Sequence, residues 1–161
     1  MRVLGIDPGY HRMGLAVVDY AGSTVSLAYS ALEETNPECD FAERLALIHE
    51  CVRQAIVDYF PEAVAVEEIY FSRNVKTAIG VAQARGVILL AAAQAGLPVF
   101  EYKPVAVKQA ITSNGQADKS QVAFMVARLT GLDVKKLADD EIDAVAVALC
   151  HAFKRRERVT A

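Results

Sequence analysis

The chain has 161 residues, room for one domain and not for two. Apolar residues make up 53% and charged residues 23%, which excludes disorder as the dominant state, and no unbroken run of 18 apolar residues occurs to span a membrane. The formal charge is only −3 but unevenly laid out, with residues 1–70 near −8 and residues 71–161 near +5, so a polyanion-binding surface remains open for the second half.

Met1 runs directly into the apolar stretch Val3–Ile6, which stops at Asp7-Pro8-Gly9. This reads as a strand and a tight turn, without the long apolar centre of a signal peptide, and the expectation is a cytoplasmic protein. Gly14–Asp19 and Thr24–Leu32, separated by Ala21-Gly22-Ser23, read as a hairpin. Phe41, Leu45, Ile48, Val52, Ile56 and Tyr59 mark one face of a helix, with Asp40 as its cap and Pro61 past its end. Ala63–Val66 is a buried-strand run ending at Glu67. A helix over 74–95 is apolar around almost its whole circumference, and a partner subunit explains that better than one small core. Leu97–Tyr102 is a fifth strand. Asp118 and Gln121 open a helix ending at Gly131, and Asp139 or Asp140 opens the last one. Residues 154–161 read as a basic, disordered tail behind a single domain of residues 1–153. Cys39, Cys51 and Cys150 form no CxxC pair and read as reduced, mostly buried thiols. His11, His49 and His151 have no ligand-like spacing.

This order implies an α/β fold: a five-stranded mixed sheet, its first three strands antiparallel, with helices on both faces. Four acids stand at ends of elements. Asp7 closes the first strand, Glu67 closes the fourth, and Asp140 and Asp143 lie at i and i+3 in the last helix. If strands one and four are parallel neighbours, Asp7 and Glu67 emerge at the same sheet edge. Such a cluster suits two Mg²⁺ ions in phosphodiester hydrolysis, because hard Mg²⁺ takes carboxylate oxygens. Each acid also has an ordinary role. Asp7 suits a turn, Glu67 a solvated strand end with Glu68 competing, and Asp139, Asp140 and Asp143 a helix N-terminus.

The ordered set Leu4-Gly5-Ile6-Asp7-Pro8-Gly9 with Gly14, Val66-Glu67, Gln83-Ala84-Arg85-Gly86-Val87, Pro98–Tyr102, Val107-Lys108-Gln109, Lys119-Ser120-Gln121-Val122 and Asp140-Glu141-Ile142-Asp143-Ala144 resembles the RuvC family. These are bacterial Holliday-junction resolvases of the ribonuclease H-like superfamily, and the likeness runs from residue 3 to about 152. It implies a homodimer, formed through helix 74–95, that nicks two strands of like polarity in four-way junction DNA during recombination and repair. It also implies Asp7, Glu67, Asp140 and Asp143 as metal-binding catalytic acids holding two Mg²⁺ per subunit, with Mn²⁺ as a substitute. Lys108 and Lys119 match the family's basic residues near the scissile phosphate, and Tyr70 or Phe71 its junction-stacking aromatic. RuvA–RuvB is the implied partner machinery. Independently of the resemblance, Arg73 and Lys76 belong with Lys103, Lys108 and Lys119 to the basic half, where loops at the sheet edge would meet phosphates. Tyr10-His11-Arg12-Met13 departs from the family's smaller polar residues. Three rivals share parts of the pattern: half of an actin/Hsp70-type ATPase, which would need a far longer chain, a nuclease for RNA–DNA hybrids, and a junction-binding module without catalysis.

Overall fold

The computed structural model of the chain describes residues 1–22, 24–69 and 75–159, with side chains except at 75, 76 and 156–159. Five strands, β1 (Arg2–Asp7), β2 (Arg12–Ala21), β3 (Thr24–Glu34), β4 (Ala63–Glu67) and β5 (Val99–Tyr102), form one sheet in the order β3-β2-β1-β4-β5. The first three pair antiparallel, and β1–β4 and β4–β5 pair parallel. Both faces of β1 and β4 are covered. That is why these strands read as unbroken apolar runs and not as alternation.

The helices are α1 (Phe41–Tyr59), α2 (Val75–Gln94), α3 (Pro104–Thr112), α4 (Lys119–Thr130) and α5 (Asp139–Val159). On one face α1 and α2 bury Ile48, Val52, Ala84 and Ile88 against Leu4, Ile6, Val64 and Val66. On the other, α3, α4 and α5 bury Val107, Ile111, Val126 and Leu149 against Val3, Val18 and Ala65.

The sequence reading misses α3, a nine-residue helix too short for a periodic signal. Pro104 in its first turn and the Val107/Ile111 pair at i and i+4 are its marks. The last helix also continues to Val159, so residues 154–159 extend α5 where an irregular tail was expected. Cysteine burial differs too: Cys150 is buried, Cys51 is half-buried and Cys39 is exposed.

Helix α2 is not buried all round. Ala78, Ala84, Ile88, Ala91 and Ala92 face the core, while Ile79 and Leu90 are 55% and 52% exposed. Its window Thr77–Gln94 has a mean hydropathy of 1.3, long and apolar enough by itself to cross a bilayer. A search for unbroken runs passes over it because Gly, Thr, Gln and Arg interrupt the apolar residues.

Candidate active site

Parallel pairing of β1 with β4 sets Ile6 beside Val66, so the next residues, Asp7 and Glu67, emerge together at the carboxyl rim of the sheet. On its other side Asp7 pairs with Gly14 of β2. That glycine has a steric purpose, since a Cβ there would overlap the backbone carbonyl of Asp140. At Gly5 a Cβ would likewise meet the carbonyl of Ala144. Two missing side chains thus let the first turns of α5 lie directly on β1 and β2. This approach also separates the three aspartates in the opening turns of α5. The Asp140 and Asp143 side chains are 25% and 31% exposed, whereas Asp139 is 74% exposed and turned outward.

The electrostatics record the convergence. Burial, then the charges of Glu67, Asp143 and Asp140, push the Asp7 carboxyl up to about 8, with Lys119 pulling the other way. Burial and Asp143 push Glu67 up to about 7 against Lys108 and Lys119. Asp143 is raised by burial, and Asp140 and Asp139 add to this against Lys119. Glu68 is not among the charges acting on Asp7, although it lines the same cleft as Asp7 and Glu67 and the groove beside it.

Among the described residues three cations reach this rim. Lys119 is the first residue of α4, whose start is fixed by a reciprocal cap. Asp118 accepts from the Gln121 amide at 2.9 Å, and the Gln121 side chain accepts from the Asp118 amide at 3.0 Å. The Lys119 Nζ lies 3.3 Å from Asp143 and 3.8 Å from Asp139. Partial burial works against its charge, yet Asp143, Asp139 and Asp7 outweigh that and raise its pKa. Lys108, on α3, is half-buried and acts on Glu67. Arg12, which the sequence reading did not single out as a site residue, places its guanidinium 2.8 Å from Asp140 Oδ2. No local signal marks this contact, because its partners are 128 positions apart.

Tyr70, Phe71 and Arg73 lie outside the described residues, as does the side chain of Lys76. His49 bonds Gln94, and His151 is buried against Tyr102 and Phe100. His11 is exposed, with its Nδ1 bonded to the buried Arg44 of α1. A cleft of about 280 Å³ opens over the rim, lined by Asp7, Pro8, Glu67, Thr77 and Pro104. A larger groove of about 650 Å³ runs beyond β5, lined by Glu68, Tyr102, Lys103, Lys154 and Arg155. Of the four acids, Asp7 and Glu67 line the smaller cleft and none lines the larger groove. The larger groove is basic, and its Glu101 is paired with Arg85.

The donor set fits a hard divalent cation. All the donors are carboxylates, and burial first, then neighbouring carboxylates, raise Asp7 to about 8 and Glu67 to about 7, so a bound cation would stabilise their charged forms. Among the described residues no three such side chains are drawn close enough to grip an ion as they stand. Asp140 is turned onto Arg12, and Asp143 onto Lys119.

Comparison with known proteins agrees with this geometry. The family model "Crossover junction endodeoxyribonuclease RuvC" matches residues 3–151. Relatives of that name include one from Moorella thermoacetica, 48% identical over 100% of this chain and 99% of its own length. Another, from Roseiflexus sp., is 47% identical over 94% of this chain and 90% of its own. The solved structure of Thermus thermophilus RuvC in complex with Holliday junction substrate superposes with a TM-score of 0.93 at 41% identity, covering 98% of this chain and 96% of that one. The yeast mitochondrial Holliday junction resolvase, at 13% identity and a TM-score of 0.70, shares the fold. The chain therefore belongs to the RuvC family of crossover junction endodeoxyribonucleases.

Proposed function

We propose that this chain resolves four-way DNA junctions by nicking two strands of like polarity, and that Asp7, Glu67, Asp140 and Asp143 hold two Mg²⁺ ions per subunit, with Mn²⁺ as a substitute. The observation that carries the reading is the meeting of the strand carboxylates with the first turns of α5 across Gly5 and Gly14. Divalent ions bound there would neutralise charge on the attacking and leaving oxygens of a phosphodiester and activate a water. The chain's own residues do the rest. Asp7 and Glu67 are carried by paired strands, and the backbone of Asp140 and Asp143 is held by the docking of α5, so ion binding calls for the Asp140 and Asp143 side chains to turn from Arg12 and Lys119 and not for the fold to move. Lys108 and Lys119 bring ammonium groups to the same rim, where a scissile phosphate would meet them. Lys103, Lys154 and Arg155 line a groove suited to an adjoining DNA backbone. Tyr70 or Phe71 stacks in the junction, supported by the family likeness, and Arg73 and Lys76 meet phosphates, supported by the positive charge of the chain's second half.

A homodimer through α2 is the second part of the reading. Ile79 and Leu90 stand outward on an otherwise apolar helix, and the outward side of Gly86 is open. A two-fold enzyme suits symmetric cleavage of a two-fold substrate. Ala84, which the motif places in this helix, is wholly buried in the subunit's own core, so the seam is tested at Leu90 and not there. Leu90→Asp should run as a monomer in size-exclusion chromatography while keeping its circular dichroism; an intact dimer would move the seam elsewhere. RuvA–RuvB as partner machinery and a cytoplasmic location follow from the family likeness.

The deciding experiment incubates the pure protein with labelled four-way, linear duplex and RNA–DNA hybrid substrates, with and without Mg²⁺. Paired symmetric nicks confined to the four-way substrate and dependent on Mg²⁺ are expected. Cleavage of the hybrid instead would make the chain a ribonuclease, and binding without cleavage a recognition module.

A further inference from the structure

We infer that Arg12 couples cation loading to DNA binding, by holding Asp140 until a phosphate of the substrate takes the guanidinium away. This rests on the reading of the four acids as cation ligands and adds to it a residue and an order of events. Arg12 is the first residue of β2, paired with Glu34 of β3, and the turn before it is held by several hydrogen bonds. Arg44, 7% exposed and with no carboxylate partner among the described residues, donates from its terminal nitrogen to the carbonyl of Tyr10 at 2.8 Å and to Nδ1 of His11 at 2.7 Å. Its Nε donates to Thr35 Oγ1 at 2.8 Å, and that hydroxyl donates in turn to the Tyr10 carbonyl at 2.6 Å. The Thr35 amide donates to the His11 carbonyl at 3.0 Å. The Tyr10 ring lies over Gly80 of α2, where a Cβ would crowd it. Gly9 closes the turn so tightly that a Cβ there would overlap the Arg12 carbonyl.

The side chain of Arg12 is in a different condition. It is 48% exposed, with its guanidinium 2.8 Å from Asp140 and 3.9 Å from Glu34. A fixed backbone carrying an accessible guanidinium is built to change partners without losing its place. While Arg12 rests on Asp140 it occupies one oxygen of that carboxylate and sets a positive charge beside the seat of a dication, so both effects oppose ion binding. A phosphodiester offers the guanidinium a bidentate partner of matching geometry. Accepting it frees Asp140 toward Asp7, Glu67 and Asp143. By linkage, DNA then tightens the ion by the same factor as the ion tightens DNA.

The test is calorimetric titration of Ca²⁺, a hard cation taking oxygen ligands with looser geometry than Mg²⁺ requires, into the DNA-free chain and into its complex with a synthetic four-way junction. Without DNA, Arg12→Ala should bind Ca²⁺ about three- to tenfold more tightly than the unmodified chain, the scale of removing one partly solvated charge. It should also gain less affinity from added junction, and Arg12→Lys, which keeps the charge and loses the planar fork, should fall between. Equal or weaker Ca²⁺ binding by Arg12→Ala without DNA, or an unchanged gain from the junction, overturns the coupling while leaving the acid site standing. Failure of the unmodified chain to take up Ca²⁺ in either state overturns the acid site itself, and this inference with it.

Discussion

The strand carboxylates Asp7 and Glu67 and the helix carboxylates Asp140 and Asp143 share one rim but not one charge balance. Asp7 and Glu67 are fixed by ladder hydrogen bonds in the middle of the sheet, and burial pushes both toward their protonated forms. Asp140 and Asp143 stand on a helix end, partly in solvent, each within reach of its own cation, Arg12 or Lys119. The strand pair is thus a rigid, under-compensated half-site, and the helix pair is a half-site whose cations can be exchanged. A ligand of double positive charge answers the first deficit. A polyanion that draws off Arg12 and Lys119 answers the second. On the proposed reading the ion draws on both halves, and DNA reaches it through the cations of the helix pair.

The sharpest way to break this contrast is Asp7→Asn. It should lower junction cleavage by more than about a hundredfold, the upper range for mere outer-shell partners of a metal, while gel-shift affinity for the junction stays largely intact. Loss of binding by the folded variant would make Asp7 a DNA contact.

Gly14→Ala attacks the joint between the halves. Its methyl group meets the Asp140 carbonyl, so α5 must move off β2. Urea denaturation should show a loss of about 1–3 kcal/mol, the usual range for overpacking, with cleavage reduced as the helix acids leave the strand acids. A variant of normal stability and activity would mean that α5 tolerates displacement and that close docking is not what builds the site.

A third test uses pH. The folded Asp7 pKa lies above its unfolded value, 3.8 against about 8, so the folded state holds the proton more tightly. Its favourable contribution is full below about pH 4, shrinks as pH rises through the window, and is gone above about 8. In metal-free buffer Asp7→Asn should match the unmodified chain near pH 4–5 and out-melt it increasingly toward pH 8–9. A net effect of about 2 kcal/mol would give roughly 4–8 °C in a protein of this size. Mg²⁺ should close the gap. A pH-independent difference would show that the strand pair is not short of charge.

The smallest expected effect is at Lys119. Replacing it by alanine should reduce the slope of log affinity against log salt by about one phosphate contact, and an unchanged slope would place it off the DNA.

Much of this was legible in the sequence because it is local. Strand runs ending at Asp7 and Glu67 and the 3.6-residue stripe of α1 report which residues must be buried. The Asp118–Gln121 cap is likewise a short-range signal. The ordered motifs were specific enough to name a family. The sequence reading was wrong where length or packing decides. It missed α3, ended α5 early, and read helix 74–95 as apolar all round when one side of it, Ala84 included, fills the subunit's own core.

The sequence by itself determined the elements, the family and the four acids as candidates. Tertiary structure alone decided that β1 and β4 are parallel neighbours, that Asp140 and Asp143 turn inward while Asp139 does not, and that Arg12 closes on Asp140. The physical reason is that periodicity and capping act over a few residues, whereas these contacts join positions 60 to 136 apart in the chain. Such contacts exist only once strand order and two glycines let a helix lie flat against the sheet.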